Sequence, residues 1–427
     1  MVLVALAAPA PTNAQSPPVS ENVGKVLRTA TAALCPQALL QPESIAPQGS
    51  GPLAGFGIAR VRDRGPSQRW ARREVLLENG ESGFALTLSG TRAGGALRRV
   101  TVTLSDRENT RPLATALAGG DCSIRHGRVL RYADAGGPSA LVHLAGDLET
   151  VEAVEALNPP VPPGRDPGGV TVAQIDSGVN YLLPQVAERL ARNQDGEALG
   201  YDYWDLDARP FDGDTGRSPF FPIRHGTPVA SLLLKEAPGI RLLPYRYPRP
   251  DMGRMRRLIE AAAAAGAAIV AMPLGSRREA DWTAFAEAAA AHGDLLFVVS
   301  AGNDGRDIDA EPLFPAGLAL DNMLVVTSAD AFGRLAAGSN WGAVSVDLMV
   351  PAEQLEVIDY RGARGQASGS SYAVPRVAAL AARLKAANPG WRAAELKRAI
   401  LARAVPPLER GAPKVAGGWI PNPADDG

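Results

Sequence analysis

Cysteine is nearly absent from this chain: 427 residues contain only Cys35 and Cys122. Neither sits in a Cys-x-x-Cys pair or near a histidine at ligand spacing, which excludes a zinc ribbon and dithiol redox chemistry. The two either form a disulfide in an oxidising compartment or stay separate thiols, since sequence alone does not place their Cα atoms. An excess of one charge is lacking too. Lys+Arg number 44 against 45 Asp+Glu, so no broad field draws the chain to nucleic acid or to an anionic membrane, and neither is expected as a partner. No apolar run approaches the roughly 20 residues that a membrane-spanning helix needs. What is present, 46% hydrophobic and 21% charged residues, suits a globular chain with sizeable cores, and the length suggests two domains.

Residues 1–16, MVLVALAAPAPTNAQS, hold a short apolar run followed by small residues near Ala14. Two readings stand: a secretory signal, which places the protein outside the cell or in a periplasm, or a disordered N-terminus. The absence of Lys or Arg before the run counts against the first. Residues 17–157 carry a helical stretch near Val26 to Leu40. Alternating segments follow, such as REVLLENGESGFALTLSG and LRRVTVTLS, with Asn79 and Gly80 at a turn. Period-two alternation argues for β-hairpins, hence a smaller β-rich N-terminal domain. His126 and His143 fall in its strand-like segments without metal-ligand spacing and are assigned no role.

Residues 158–169, NPPVPPGRDPGG, contain five prolines and three glycines, a composition that reads as a linker. Beyond it the pattern changes. Near-continuous apolar runs, VTVAQI, AAIVAMPL, DLLFVVSAG and MLVVTSA, are separated in several places by helical stretches such as 255–266 and 282–293. This predicts an α/β fold over 170–410: a mostly parallel sheet with helices on both faces, followed by a C-terminal tail from 411. In such sheets function gathers at the carboxyl ends of the strands. Asp176 follows the first run, and Asn303 stands in the turn after the third. His225 precedes a helix with Thr227 as expected N-cap and Pro228 in its first turn. Ser371 opens an alanine-rich helix, with Pro375 expected in that helix's first turn. Taken singly each has an ordinary explanation: a cap, a surface imidazole, a turn amide.

Four motifs together, in order, carry a resemblance. IDSG with Asp176, HGTPVAS with His225, SAGNDG with Asn303 and GSSYAVP with Ser371 resemble the motifs of the subtilisin-like serine proteases, the subtilases. SNWG, DLMVP and NPGWRAAELKRAIL add to the likeness. The resemblance implies a serine endopeptidase acting on proteins or peptides, with Asp176, His225 and Ser371 as its triad and Asn303 at the oxyanion hole. It implies substrate contacts from Pro273, Leu274 and Gly275 in AMPLGS and from Ala301 and Gly302. It also implies no cofactor for catalysis, and inhibition of the groove by an N-terminal propeptide, for which residues 17–157 stand in the right place without matching its pattern. The alternative is a catalytically silent homologue that only binds peptides.

The departures fall beside the reacting groups: Pro228, Ser231 and Ser370 replace a histidine, a glycine and a threonine of the family. Pro273 replaces a serine on the strand that the family uses to bind substrate, tolerable for an edge strand whose N–H is unpaired. Calcium often stabilises the family. The acidic loop YDYWDLDARPFDGDTG (Asp202, Asp205, Asp207, Asp212, Asp214) lacks a fixed ligand spacing, so it reads as a solvated loop and no metal ligand is assigned. Leu313, ahead of Phe314, Pro315 and Ala316, hints at a shallow apolar specificity site.

Overall fold

The computed structural model describes residues 21–45, 51–65, 69–79, 83–106, 111–133, 137–407 and 413–425. The signal-like segment 1–16, and Gly80 of the Asn79–Gly80 turn, lie outside them. The chain divides into two compact units, Met1–Leu157 and Asn158–Gly427. Among the described residues no helix is long and apolar enough to cross a membrane.

The first unit begins with two helices, α1 (Glu21–Leu34) and α2 (Gln37–Leu40). An antiparallel meander of eight strands follows: β1 (Gly57–Arg64), β2 (Arg72–Glu78), β3 (Phe84–Ala93), β4 (Ala96–Asp106), β5 (Pro112–Gly119), β6 (Ile124–Tyr132), β7 (Pro138–Leu144) and β8 (Val151–Ala156). Alternation decides its faces. Val75 and Leu77 of β2, Leu86 and Leu88 of β3, and Val100 and Val102 of β4 all point to one side, where they are buried against Leu27, Leu34 and Leu39 of the helices. Each such side chain contributes about 1.5–3 kcal/mol relative to exposure. Cys35, between the helices, and Cys122, between β5 and β6, form a disulfide with Cα atoms 5.9 Å apart.

In the second unit the main strands are β9 (Thr171–Asp176), β10 (Tyr201–Asp202), β11 (Arg241–Arg246), β12 (Ile269–Met272), β13 (Leu296–Ser300), β14 (Met323–Ala329) and β15 (Leu348–Pro351). They form one sheet in the order β10-β11-β9-β12-β13-β14-β15, and every pairing is parallel. A small antiparallel pair, β16 (Leu355–Ile358) and β17 (Arg364–Ala367), lies apart from it. The helices are α3 (Pro184–Ala187), α4 (Gly226–Glu236), α5 (Met255–Ala264), α6 (Thr283–Ala291), α7 (Ser370–Ala387) and α8 (Ala393–Leu401). Because both faces are covered, the strands are apolar at successive positions. Val172, Ile269, Val298 and Val326 join the core with α4, α7 and α8, while Ala173, Val270, Phe297 and Val325 join the core with α5 and α6.

Several expectations change here. Residues 158–169 pack onto the second unit: Tyr181 donates to the Pro159 carbonyl (2.6 Å), Arg192 to that of Pro162 (2.8 Å), and Arg241 pairs with Asp166 (2.8 Å). The stretch set apart as a tail includes Val415, Trp419 and Ile420, all buried, and Ile420 N–H donates to the Met349 carbonyl. Thr227 is not the N-cap of α4: His225 holds that position, and the Thr227 hydroxyl is drawn to Asp212. Pro375 lies in the second turn of α7, where its ring nitrogen has no N–H to offer the Ser371 carbonyl.

Candidate active site

Chain direction across the second sheet reverses at β9, whose neighbours are β11 and β12. Loops leaving such a switch point diverge to opposite sides and open a crevice at the carboxyl ends of the strands. Asp176 is the last residue of β9, and it lines a cleft of about 750 Å³ together with His225, Asn303 and Ser371.

Two approaches fix the histidine. Gln174 of β9 donates to the Gly226 carbonyl at 2.8 Å. Gly226 itself sits so close to the turn behind Asp176 that a Cβ there would collide with the Gly178 carbonyl oxygen. His225 Nδ1 therefore lies 2.8 and 2.9 Å from the two carboxylate oxygens of Asp176. The carboxylate side chain is 5% exposed and the imidazole 29%, so the ring reaches solvent while its partner does not. Burial works against charge on His225, but the Asp176 carboxylate and its hydrogen bond, aided by Asp212 and Asp214, hold the imidazole pKa above its ordinary value. On the other side the His225 ring lies 6.1 Å from that of Tyr372, the residue after Ser371.

A second layer, not singled out from sequence as part of the site, supports this pair. Ser177 donates its N–H to Asp176 (2.7 Å) and its hydroxyl to Asp212 (2.7 Å), and that hydroxyl accepts from Gly226 N–H (2.9 Å). Asp212 also accepts from Thr227 N–H at 2.8 Å. Burial, aided by the nearby Asp176 charge, holds Asp212 up at about 6 against the Ser177 and Thr227 hydrogen bonds, which pull it down. The acidic loop is thus only partly solvated: Asp205, Leu206, Ala208 and Arg209 are exposed, whereas Asp202 and Asp212 are buried. Asp202 pairs with Arg246 at 2.8 Å, Asp205 pairs with the same guanidinium, and Asp214 accepts from Tyr247 (2.7 Å). Among the described residues no group of three or more His, Cys, Asp or Glu is arranged to hold a metal.

Asn303 is oriented from α7. Its Oδ1 accepts from the Ser370 N–H (2.8 Å) and hydroxyl (2.9 Å), and Ser370 Oγ lies 2.7 Å from Ser300 Oγ at the end of β13. With the carbonyl end of the amide held, the Nδ2 end is the one left to donate. Asn340, from SNWG, supports the same turn by donating to the Ala301 carbonyl (2.8 Å) and accepting from Asp304 N–H (2.9 Å). Among the expected substrate contacts, Pro273, Leu274, Gly275 and Gly302 line the cleft; Ala301 is fully buried behind it. Pro273 is not on an edge strand. It follows the last residue of β12, a central strand, so its missing N–H falls just beyond the ladder.

The profile of the subtilase family matches residues 168–419, so this chain belongs to that family. Over 247 residues it is 30% identical to the thermophilic serine proteinase of Bacillus sp. (strain AK1), covering 54% of this chain and 55% of the relative. Over 249 residues it is 28% identical to the alkaline serine exoprotease A of Vibrio alginolyticus, covering 56% of this chain and 42% of the relative. The chain thus spans about half the length of the curated relatives it matches. A solved structure of the subtilase cytotoxin SubAB assembly aligns with TM-score 0.50 and 22% identity over 61% of this chain and 90% of the other, a likeness of fold. A cold-adapted subtilisin-like serine proteinase aligns with TM-score 0.49 and 25% identity over 60% of this chain and 89% of that one.

Proposed function

We propose that this protein is a serine endopeptidase, with Asp176, His225 and Ser371 as its triad and Asn303 as an oxyanion donor. The observation that carries this reading is the two-point hold of Asp176 on His225 Nδ1 at the edge of the cleft that Ser371 also lines. With Nδ1 so engaged, Nε2 is the nitrogen free to act as base. Ser371 Oγ attacks the peptide carbonyl carbon and its proton passes to Nε2. The carbonyl π pair moves onto oxygen, where Asn303 Nδ2 and the Ser371 N–H donate to it. Collapse of the tetrahedral species breaks the C–N bond, and the leaving amine takes the proton from Nε2. Water then enters by the same route in reverse roles, releasing the acid and restoring the serine.

A fluorophosphonate probe tests this. Labelling of the folded protein is expected in wild type and lost in Ser371→Ala, while an unlabelled wild type sinks the enzyme reading and leaves a peptide-binding homologue. Residues 17–157 act either as a propeptide that blocks the groove or as a retained accessory domain. The intact mass of the two purified proteins separates these: trimming near 158–169 in wild type and not in Ser371→Ala marks a propeptide removed by the enzyme itself. Export to the cell exterior or a periplasm is supported by the Cys35–Cys122 disulfide, a bond that persists in oxidising compartments.

A further inference from the structure

Charge that balances over the whole chain is not spread evenly over the first unit. Strand register lays out, row by row, the face of its sheet opposite α1 and α2. Arg64, Arg72, Thr91 and Arg99 stand opposite one another across β1 to β4. The next row is Arg62, Glu74, Ser89 and Thr101, and the third is Arg60, Leu76, Thr87 and Thr103. All five arginines are exposed, whereas Val75, Leu88 and Val102 at the intervening positions are buried with the helices. Among the described residues of these rows Glu74 is the one carboxylate, and it pairs with Arg72 at 2.7 Å. With strands about 4.8 Å apart and a rise of about 3.3 Å per residue, the arginines occupy a patch of roughly 14 by 13 Å.

We infer that this face is a docking surface for an acidic polysaccharide, one bearing sulfate or carboxylate groups, and that the first unit attaches the chain to such a polymer. Docking of this kind depends neither on the endopeptidase assignment nor on whether residues 17–157 are later removed. Like charges directly opposite on neighbouring strands destabilise a sheet, so Arg64 facing Arg72 is a cost that a bound anion relieves. Charges on an edge strand alone serve to block edge-to-edge aggregation. That accounts for β1, but not for Arg72 on β2 or Arg99 on β4, which lie inside the sheet. The positive field continues along the same face: His126, in line with Thr101 through Leu117, has its pKa lowered by burial first and then by Arg128 and Arg99. Guanidinium groups hold sulfate and carboxylate through paired N–H donors, and the hydroxyls of Ser89, Thr91 and Thr101 among them match those of a sugar chain. Among the described residues of these rows there is no aromatic ring on which a base could stack. Leu76 alone offers too little apolar surface to enter a bilayer.

The test uses the full chain carrying Ser371→Ala, so that no trimming separates the units, and measures its binding to fluorescent dextran sulfate, polygalacturonate and uncharged dextran at about 50–200 mM salt. Binding is expected to an acidic polymer and not to dextran, with a slope of log affinity against log salt of about −3 to −4, as roughly four neutralised charges require. Whichever acidic polymer binds more tightly identifies the group that the arginines take. Arg60→Gln with Arg62→Gln and Arg64→Gln is expected to weaken binding at least about tenfold and to bring the slope to about −1 to −2. Arg99→Gln, on an inner strand, is expected to weaken it by about threefold, and gives an independent reading should the triple variant misfold. Arg257→Gln with Arg361→Gln and Arg364→Gln removes the same charge from exposed positions of the second unit and is expected to leave affinity within about twofold. No binding to either acidic polymer, equal binding to dextran, or an equal loss in the two triple variants overturns the inference. So does tighter binding to duplex DNA or to phosphatidylglycerol vesicles than to both polysaccharides.

Discussion

Two histidines of this chain face a carboxylate, and they sit in different kinds of sheet. His143 of β7 meets Glu155 of β8 at 3.2 Å across neighbouring antiparallel strands. His225 meets Asp176 at 2.8 Å where a parallel strand ends at a switch point. Residue types and distances are nearly alike, yet the surroundings differ. The first pair lies on the face of a sheet whose other side carries the core, with both partners partly exposed to water. The second has a buried carboxylate, a further buried acid in Asp212, and a cleft that also presents a serine and an amide. A histidine and a carboxylate in contact make an ion pair anywhere; a parallel sheet adds a crevice into which other strands deliver further groups.

The strongest way to break this comparison is to remove the carboxylate of each pair's chemistry and see whether the loss is equal. Asp176→Asn keeps the shape and is expected to lower kcat by about ten-thousandfold, because the imidazole loses the group that fixes its tautomer and stabilises its charged form. Glu155→Gln is expected to leave kcat/KM within about twofold, since partly exposed ion pairs contribute little. The pH profile sharpens the same point. The proposed base must be neutral to act, so activity is expected to rise with pH through the His225 pKa, which burial works against but Asp176, mainly, holds above its ordinary value in wild type. Without the negative charge of Asp176 the charged imidazole is less favoured, so the rising limb moves to lower pH in Asp176→Asn. A limb that stays in place, measured as kcat/KM per titrated site, contradicts the assigned pairing.

A second difference concerns what holds each unit together. The parallel unit covers both faces of its sheet with helices. The antiparallel one packs α1 and α2 on one face and adds a disulfide, which joins residues 87 apart. Closing a loop of that length restricts the unfolded chain strongly, so Cys35→Ser with Cys122→Ser is expected to cost about 2–5 kcal/mol in the first unit. Hydrogen exchange on the whole chain reads this: amides of β4 to β6 lose protection while those of β12 to β14 keep theirs. Equal loss in both regions means that the cross-link stabilises the chain as a whole.

The two sheets also differ in how plainly the sequence announces them. β9, β12, β13 and β14 are buried on both faces, so VTVAQI and its counterparts stand out as apolar runs, and Asp176 and Asn303 are found by looking just past them. In the antiparallel sheet β2 and β3 are legible by alternation, but three strands are not. β1 (GIARVRDR) and β8 (VEAVEA) lie at the sheet's edges and are largely exposed; β5 (PLATALAG) buries small alanines. Such strands exist because a neighbour offers hydrogen bonds, a fact of tertiary context. In the site the same limit applies. Asp212 stands in a loop whose composition reads as solvated, and only its contacts with Ser177, 35 residues away, and Thr227, 15 residues away, make it interior. Thr227 followed by Pro228 has the pattern of a helix cap, yet its hydroxyl serves that buried acid instead.

Ser370 gives the smallest and most discriminating of these tests, because sequence alone marks it only as the neighbour of the proposed nucleophile. Its hydroxyl donates to Asn303 Oδ1 at 2.9 Å while its backbone N–H donates to the same atom at 2.8 Å. Ser370→Ala removes one of two bonds that aim the amide and keeps the other. One neutral hydrogen bond is worth about 0.5–1.5 kcal/mol, so kcat per titrated site is expected to fall by roughly three- to tenfold with KM unchanged, and Ser370→Thr is expected to restore it. Removing the amide itself in Asn303→Ala deletes a donor that acts only on the developing oxyanion, with a loss of about a hundred- to a thousandfold, the size known for such a donor in a subtilisin. If Ser370 merely filled space, its alanine variant would lower the fraction of reactive serine and leave kcat per site where it was. A fall in kcat confined to titrated sites, smaller than that of Asn303→Ala and not additive with it, is the outcome that makes Ser370 a positioning residue for the oxyanion hole.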